Sequence, residues 1–261
     1  MFERLQKPFL TVETGEAYQP IRLTYELPDL KKLQDTFNQL KCLEQKGPSL
    51  WNWFWRDECE ELHFQSLDSY QKNPQHPLRL GSLTVKGSQL YINLPSFKRA
   101  CLAIPFFAQN LSTEVASIEK ADFINKVFGL NERLPHGFTE LFNEHELELI
   151  VNQRMLEYEQ VKERCEQAET AEEAFNILAE YTKTESSKRL PFAERYSFLE
   201  NSNAKLDPDI IFLGFYIFLR GRELVAIRRW FGETGYTLAN AADETLEQVF
   251  GGMNIDILDE E

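Results

Sequence analysis

Gly87-Ser88 stands between two short runs whose apolar residues alternate, Leu83-Thr84-Val85 before it and Leu90-Tyr91-Ile92 after it. A two-residue loop with glycine first meets the requirement of a type II′ turn, the connection whose twist suits a pair of antiparallel strands. The register follows from the loop. Val85 should face Leu90 and Leu83 should face Ile92 on the buried side of a sheet, with Thr84 opposite Tyr91 on the other side. Any fold for this chain has to be built around that hairpin.

The flanking segments extend the pattern. Ile21, Leu23, Tyr25 and Leu27 alternate with Arg22, Thr24 and Glu26, which predicts a half-buried strand closed by Pro28. Leu30, Leu33, Phe37, Leu40 and Leu43 then recur at helical spacing and predict one helix from about Asp29 to Gln45, stopped by Gly47-Pro48. After the hairpin, Ser96 is placed to cap a helix through Phe97, Ala100, Cys101 and Ile104, interrupted or ended near Pro105, and a further strand is expected around Glu114 to Glu119. Strand, helix, hairpin, helix, strand is the βαββαβ order of a ferredoxin-like sandwich, with Gly47 to Pro77 as an insertion.

From about Thr139 the period is helical. Leu147, Val151, Met155, Tyr158 and Cys165 are expected on one long charged helix, Thr170-Ala-Glu-Glu173 is a capping box before Phe175, and Pro191 and Asp207-Pro208 each suggest a further helix start. The ten-residue apolar run Ile210 to Leu219 is too short to cross a bilayer and reads as a buried helix. The expected fold class is therefore α+β, in three parts: an α+β domain over 1–136, a helical domain over 137–250 and an acidic tail over 251–261.

Charge bounds the functions. The formal net charge is -14, and Glu233 to Glu261 holds eight acidic residues and no Lys or Arg. Such a surface repels phosphate backbones and disfavours nucleic acid as a partner. Met1 to Leu10 carries Glu3, Arg4 and Lys7 where a signal peptide needs an apolar centre, and Cys42, Cys59, Cys101 and Cys165 form no C-x-x-C pair, so the expectation is a cytoplasmic protein with reduced thiols and no membrane association.

Catalytic and metal signatures are sparse. Cys59 and Glu60-x-x-His63 share a helical face, but His76, His136 and His145 lack the glutamate three residues earlier that a second Glu-x-x-His pair would need, and no metal or cofactor is expected. A nuclease-like set made of Asp29, Glu44 and Lys46 would be ~25 Å apart along the predicted helix, too far to share an ion. No G-x-S-x-G elbow or glycine-rich phosphate loop occurs.

Two compositions remain. Trp51-Asn-Trp-Phe-Trp55 would align Trp51, Trp53 and Trp55 on one face of an extended segment, suited to a core, an interface or a stacking surface. Arg220, Arg222, Arg228 and Arg229 crowd one helical stretch ending at Trp230, to be paired with acidic groups in cis or to hold an anion. These eight residues are the candidate partner-binding set, in a non-enzymatic adaptor or regulatory protein whose helical C-terminal part binds another protein of unknown identity. Self-association stays open, as do an enzyme with a site assembled between the two parts and RNA or anion binding by the arginine patch.

Overall fold

The computed structural model describes residues 8–64, 77–135, 137–198 and 208–250, without the side chains of 208–209 and 245–250. The expected tail over 251–261, His76 and His136 lie outside the described residues.

The Gly87-Ser88 hairpin joins β4 (Arg79–Lys86) to β5 (Gln89–Leu94), with Val85 opposite Leu90, Leu83 opposite Ile92 and Thr84 opposite Tyr91. Gly87 has φ of 60° and Ser88 has no positive φ, the combination a type II′ loop needs. Next to β5 lies β1 (Ile21–Glu26), and next to β1 lies β6 (Ser117–Ile124), both antiparallel. The sheet then grows at both edges. β2 (Leu43–Gly47) and β3 (Leu50–Phe54) add a hairpin beside β4, and β7 (Ala193–Ser197) pairs antiparallel with β6, giving seven antiparallel strands in the order β2-β3-β4-β5-β1-β6-β7. The fold is mixed α+β.

Several expectations are corrected. The helix predicted to reach Gln45 stops at Phe37: α1 (Leu30–Phe37) is capped by the Asp29 side chain, which accepts from the Lys32 amide, and the chain then turns so that Leu43 pairs with Trp53 in β2. Leu40 and Leu43 are buried as their spacing suggested, but they reach the core from a turn and a strand. α2 (Phe97–Asn110) is capped by Ser96 and runs through Pro105, with no break there. Pro191 precedes the strand β7, where a helix was expected.

Beyond β6 the chain forms the short α3 (Phe138–Leu141), α4 (Glu144–Glu166) and α5 (Ala171–Ser187), the last capped by Thr170 as the capping box requires. After β7 come α6 (Pro208–Trp230) and α7 (Leu238–Phe250).

One face of the sheet carries Leu23, Leu90, Ile92, Leu83 and Phe123 against α1, α2 and α6, forming the main core. The aromatic contacts there are specific: Trp53 lies 5.4 and 5.3 Å from the rings of Phe106 and Phe107 on α2, and Phe123 meets Phe218 of α6 edge-on at 5.5 Å. Close packing also dictates Gly81, where an added Cβ would lie 2.6 Å from Leu94 Cδ2 and 2.7 Å from the Asn93 carbonyl oxygen. The opposite face is polar. Arg22 donates to Asn93 Oδ1 at 2.9 Å beneath Tyr91 and Phe142, and Asp122 pairs with Arg195.

Candidate functional site

The three tryptophans share one face of β3 and its extension, as their alternation requires, and all three are buried. Trp51 meets Phe37 of α1 at 5.3 Å and Trp55 meets Phe64 at 5.4 Å. The Trp53 indole N–H donates to the Cys59 thiol, beside Cys42, whose own thiol is pushed far up by its hydrogen bond to Cys59 and by burial. Such a site joins the added hairpin to the sheet core, and as placed the indoles turn no face outward.

The arginines of α6 separate into different environments. Arg222 is buried and donates to both oxygens of Glu194 on β7, at 2.8 and 3.3 Å, while its guanidinium lies 3.4 Å over the Phe218 ring. Burial alone would raise the Glu194 carboxyl, but Arg222, Arg154 of α4 and an amide bond from Asn125 more than reverse it and hold it below the usual range. This buried set ties α4, α6 and β7 together. Arg220 pairs with Glu223 one turn on, and Arg228 holds Glu233 and, through two bonds at 2.9 and 3.0 Å, Glu244 of α7. Arg229 donates through Nε to the Tyr236 carbonyl and lies near Arg189. Trp230 packs with Val127, Ala226 and Phe9 against the end of β6.

A second ionic group fixes the start of α4 on the polar face of the sheet. Glu144 accepts from Arg195 at 2.8 and 2.7 Å and from Lys120 at 3.0 Å, and these hydrogen bonds, the Arg195 bond foremost, hold its carboxyl down at about 2.

What remains outside these networks is apolar. The run Ile210 to Leu219 was expected to be buried, but only one side of it is: Phe215 and Leu219 enter the core, whereas Ile210, Leu213, Tyr216 and Ile217 are 56, 58, 45 and 53 % exposed. Spacings of three and four residues put these four on one helical stripe. The physical reason is geometric, because a helix lying on a sheet buries one side only and a sequence apolar all round leaves the other side uncovered. α4 and α5, although charged, also leave large apolar residues in solvent. They pack on each other through the 167–170 turn, α4 buries only Leu147 and Val161, and α5 buries no residue fully, so Met155 and Tyr158, which lie on the long charged helix as expected, are exposed together with Leu149, Leu156, Phe175 and Leu178. Sequence reasoning missed this outer surface because burial and exposure have the same apolar signature within one helix.

Among the described residues no three His, Cys, Asp or Glu side chains group as a metal ion would need, and no helix is long and apolar enough to cross a membrane. A cleft of about 800 Å³ opens beside Arg99, whose buried guanidinium is held by the Arg79 and Leu80 carbonyls, by Thr14 and by Glu13. Pockets of this kind suit ligands, but the Arg99 guanidinium here is committed to these groups of the chain itself, and Asn93 on the same wall accepts from Arg22. No family model, no curated protein and no solved structure matches the chain.

Proposed function

We propose that this chain is a non-enzymatic adaptor whose helical C-terminal part docks another protein, and that the docking surface is the exposed stripe Ile210, Leu213, Tyr216 and Ile217 of α6. The observation that carries it is the clustering of four large apolar side chains in solvent on one helix face, a feature that marks interaction surfaces on folded proteins. Charge selects the occupant. The chain has a net charge of -14, and the outer faces of α4 and α5 are lined with Glu148, Glu159, Glu163, Glu166, Glu172 and Glu173. A partner with an apolar centre and a rim of Lys and Arg is attracted, whereas a second copy or an anionic membrane is repelled. The four strands β4-β5-β1-β6 with α1 and α2, which we infer to be a ferredoxin-like unit from their order, would then be the rigid support, in a cytoplasmic protein whose four cysteines are free thiols.

The test is capture from lysate with the full chain and with the Leu213→Glu/Ile217→Glu variant, identification of what only the former retains, and titration of that purified protein against both. The reading expects a basic-rimmed partner that binds the wild type, more weakly as salt rises, and binds the variant at least tenfold more weakly, about 1.4 kcal/mol or more. It is overturned if no retained protein depends on the stripe, if sedimentation shows the stripe consumed in a dimer of this chain, or if the stripe instead drives binding to lipid vesicles.

A further inference from the structure

Arg189 and Arg229 stand together with no ion pair to a carboxylate among the described residues; Glu157 and Glu185, which share a third cleft with Arg189, are held by Lys188. Arg189 is exposed in the link between α5 and β7, and among the described residues neither it nor the terminal nitrogens of Arg229 have an acceptor. The Arg229 guanidinium is held below its ordinary value, first by partial burial and then by the charge of Arg189. Like charges are normally separated or neutralised, as Arg220, Arg222 and Arg228 are on the same helix. This pair is kept close and left without an anion.

The space between them is shaped. A cleft of about 510 Å³ is lined by Ser187, Arg189, Arg229, Thr234, Gly235 and Thr237, with no acid; the Ser187 and Thr237 hydroxyls already donate to the Thr184 carbonyl and to Asn240 Oδ1, which leaves the Thr234 hydroxyl to donate beside the two arginines. A second cleft, of about 600 Å³, shares Arg189 and Arg229 and continues over Leu190, Pro191, Phe192 and Trp230, again with no acid. Its one other cation, Lys126, is already paired with Glu132. The first cleft offers two guanidinium forks and the Thr234 hydroxyl to a doubly charged oxyanion. The second offers an apolar and aromatic wall next to it, the exposed ring of Phe192 included.

We infer that Arg189 and Arg229 form a binding site for a phosphate monoester carrying a planar ring, with the phosphate beside the two guanidinium groups and the Thr234 hydroxyl and the ring in the cleft beside Phe192 and Trp230. The site is separate from the α6 stripe and stands or falls independently of the docking surface. It would give the molecule a small-molecule input at the junction of α5, α6 and α7.

Calorimetric titration of the full chain with AMP, adenosine and inorganic phosphate tests it. AMP should bind one to one and at least about tenfold more tightly than either fragment, the gain expected when two subsites act together. Arg189→Ala, which removes a side chain with no internal partner and should leave the melting temperature unchanged, should weaken AMP and phosphate by about tenfold or more. Phe192→Ala should weaken AMP and leave phosphate unaffected. The inference is overturned if AMP shows no saturable binding, if AMP and phosphate bind equally, or if Arg189→Ala binds AMP as the wild type does.

Discussion

At the scale of single residues, the strongest dependence is on Glu194, because its carboxylate is fully buried and, among the described residues, its charge is balanced by Arg222 and Arg154. Arg222→Ala should cost about 3–5 kcal/mol of unfolding free energy in urea titrations, since it leaves a buried charge half-compensated. The paired replacement Arg222→Met with Glu194→Gln should recover most of that loss, and equal destabilisation by single and double variants would refute the pairing. Gly81 is a steric dependence of another kind: Gly81→Ala has no room against Leu94 and the Asn93 carbonyl and should cost about 1–3 kcal/mol in the same assay. Glu144 supplies a pH dependence. Its carboxyl is lowered from 4.5 to about 2 by Arg195 and Lys120, so its contribution is complete above about 4.5 and is lost as the pH falls through about 2. Urea midpoints between pH 5 and 2 should therefore fall more steeply for the wild type than for Glu144→Gln, and parallel curves would show that the Arg195 contact does not contribute in solution.

At the scale of elements, the turn at Gly87 should be sensitive to any side chain. With φ of 60°, Gly87→Val should cost about 1–2 kcal/mol in urea unfolding even though nothing lies within 4 Å of an added Cβ, a result that separates backbone strain from packing. The hairpin and its neighbours β1 and α2 were legible because their signals are local: alternation, a turn glycine and a capping serine within a few residues. β2 was hidden because Leu43 continues the helical spacing of Leu33, Phe37 and Leu40, and its place in a strand is decided by pairing with β3, ten residues on. β7 was hidden for another reason. Its Glu194 and Arg195 break the apolar alternation of a buried strand, and what makes them tolerable, Arg222, Arg154, Asp122 and Glu144, lies far off in sequence. The arginine cluster of α6 was visible as a composition, but only the fold separates Arg222, committed to the interior, from Arg229, which meets Arg189 of another segment.

At the scale of the whole molecule, one sheet divides two kinds of surface. Its apolar face is closed by α1, α2 and α6 and its polar face is bound ionically to the start of α4, so both sides of the sheet are occupied by the chain itself. Apolar area in solvent is then concentrated on the outer sides of the helices, and an acidic chain carrying such area should avoid copies of itself. Sedimentation of the wild type at low salt should accordingly give a monomer, and the Leu213→Glu/Ile217→Glu variant should fold with unfolding free energy unchanged within about 0.5 kcal/mol, as expected for surface positions. The most direct test of the docking claim is amide hydrogen exchange read by mass spectrometry on the full chain, alone and saturated with the basic-rimmed partner that capture identifies. The account predicts slowed exchange over α6 from Ile210 to Leu219 with the sheet unaffected; protection confined to the sheet edges β2 and β7, with α6 exchanging as in the free protein, would contradict it.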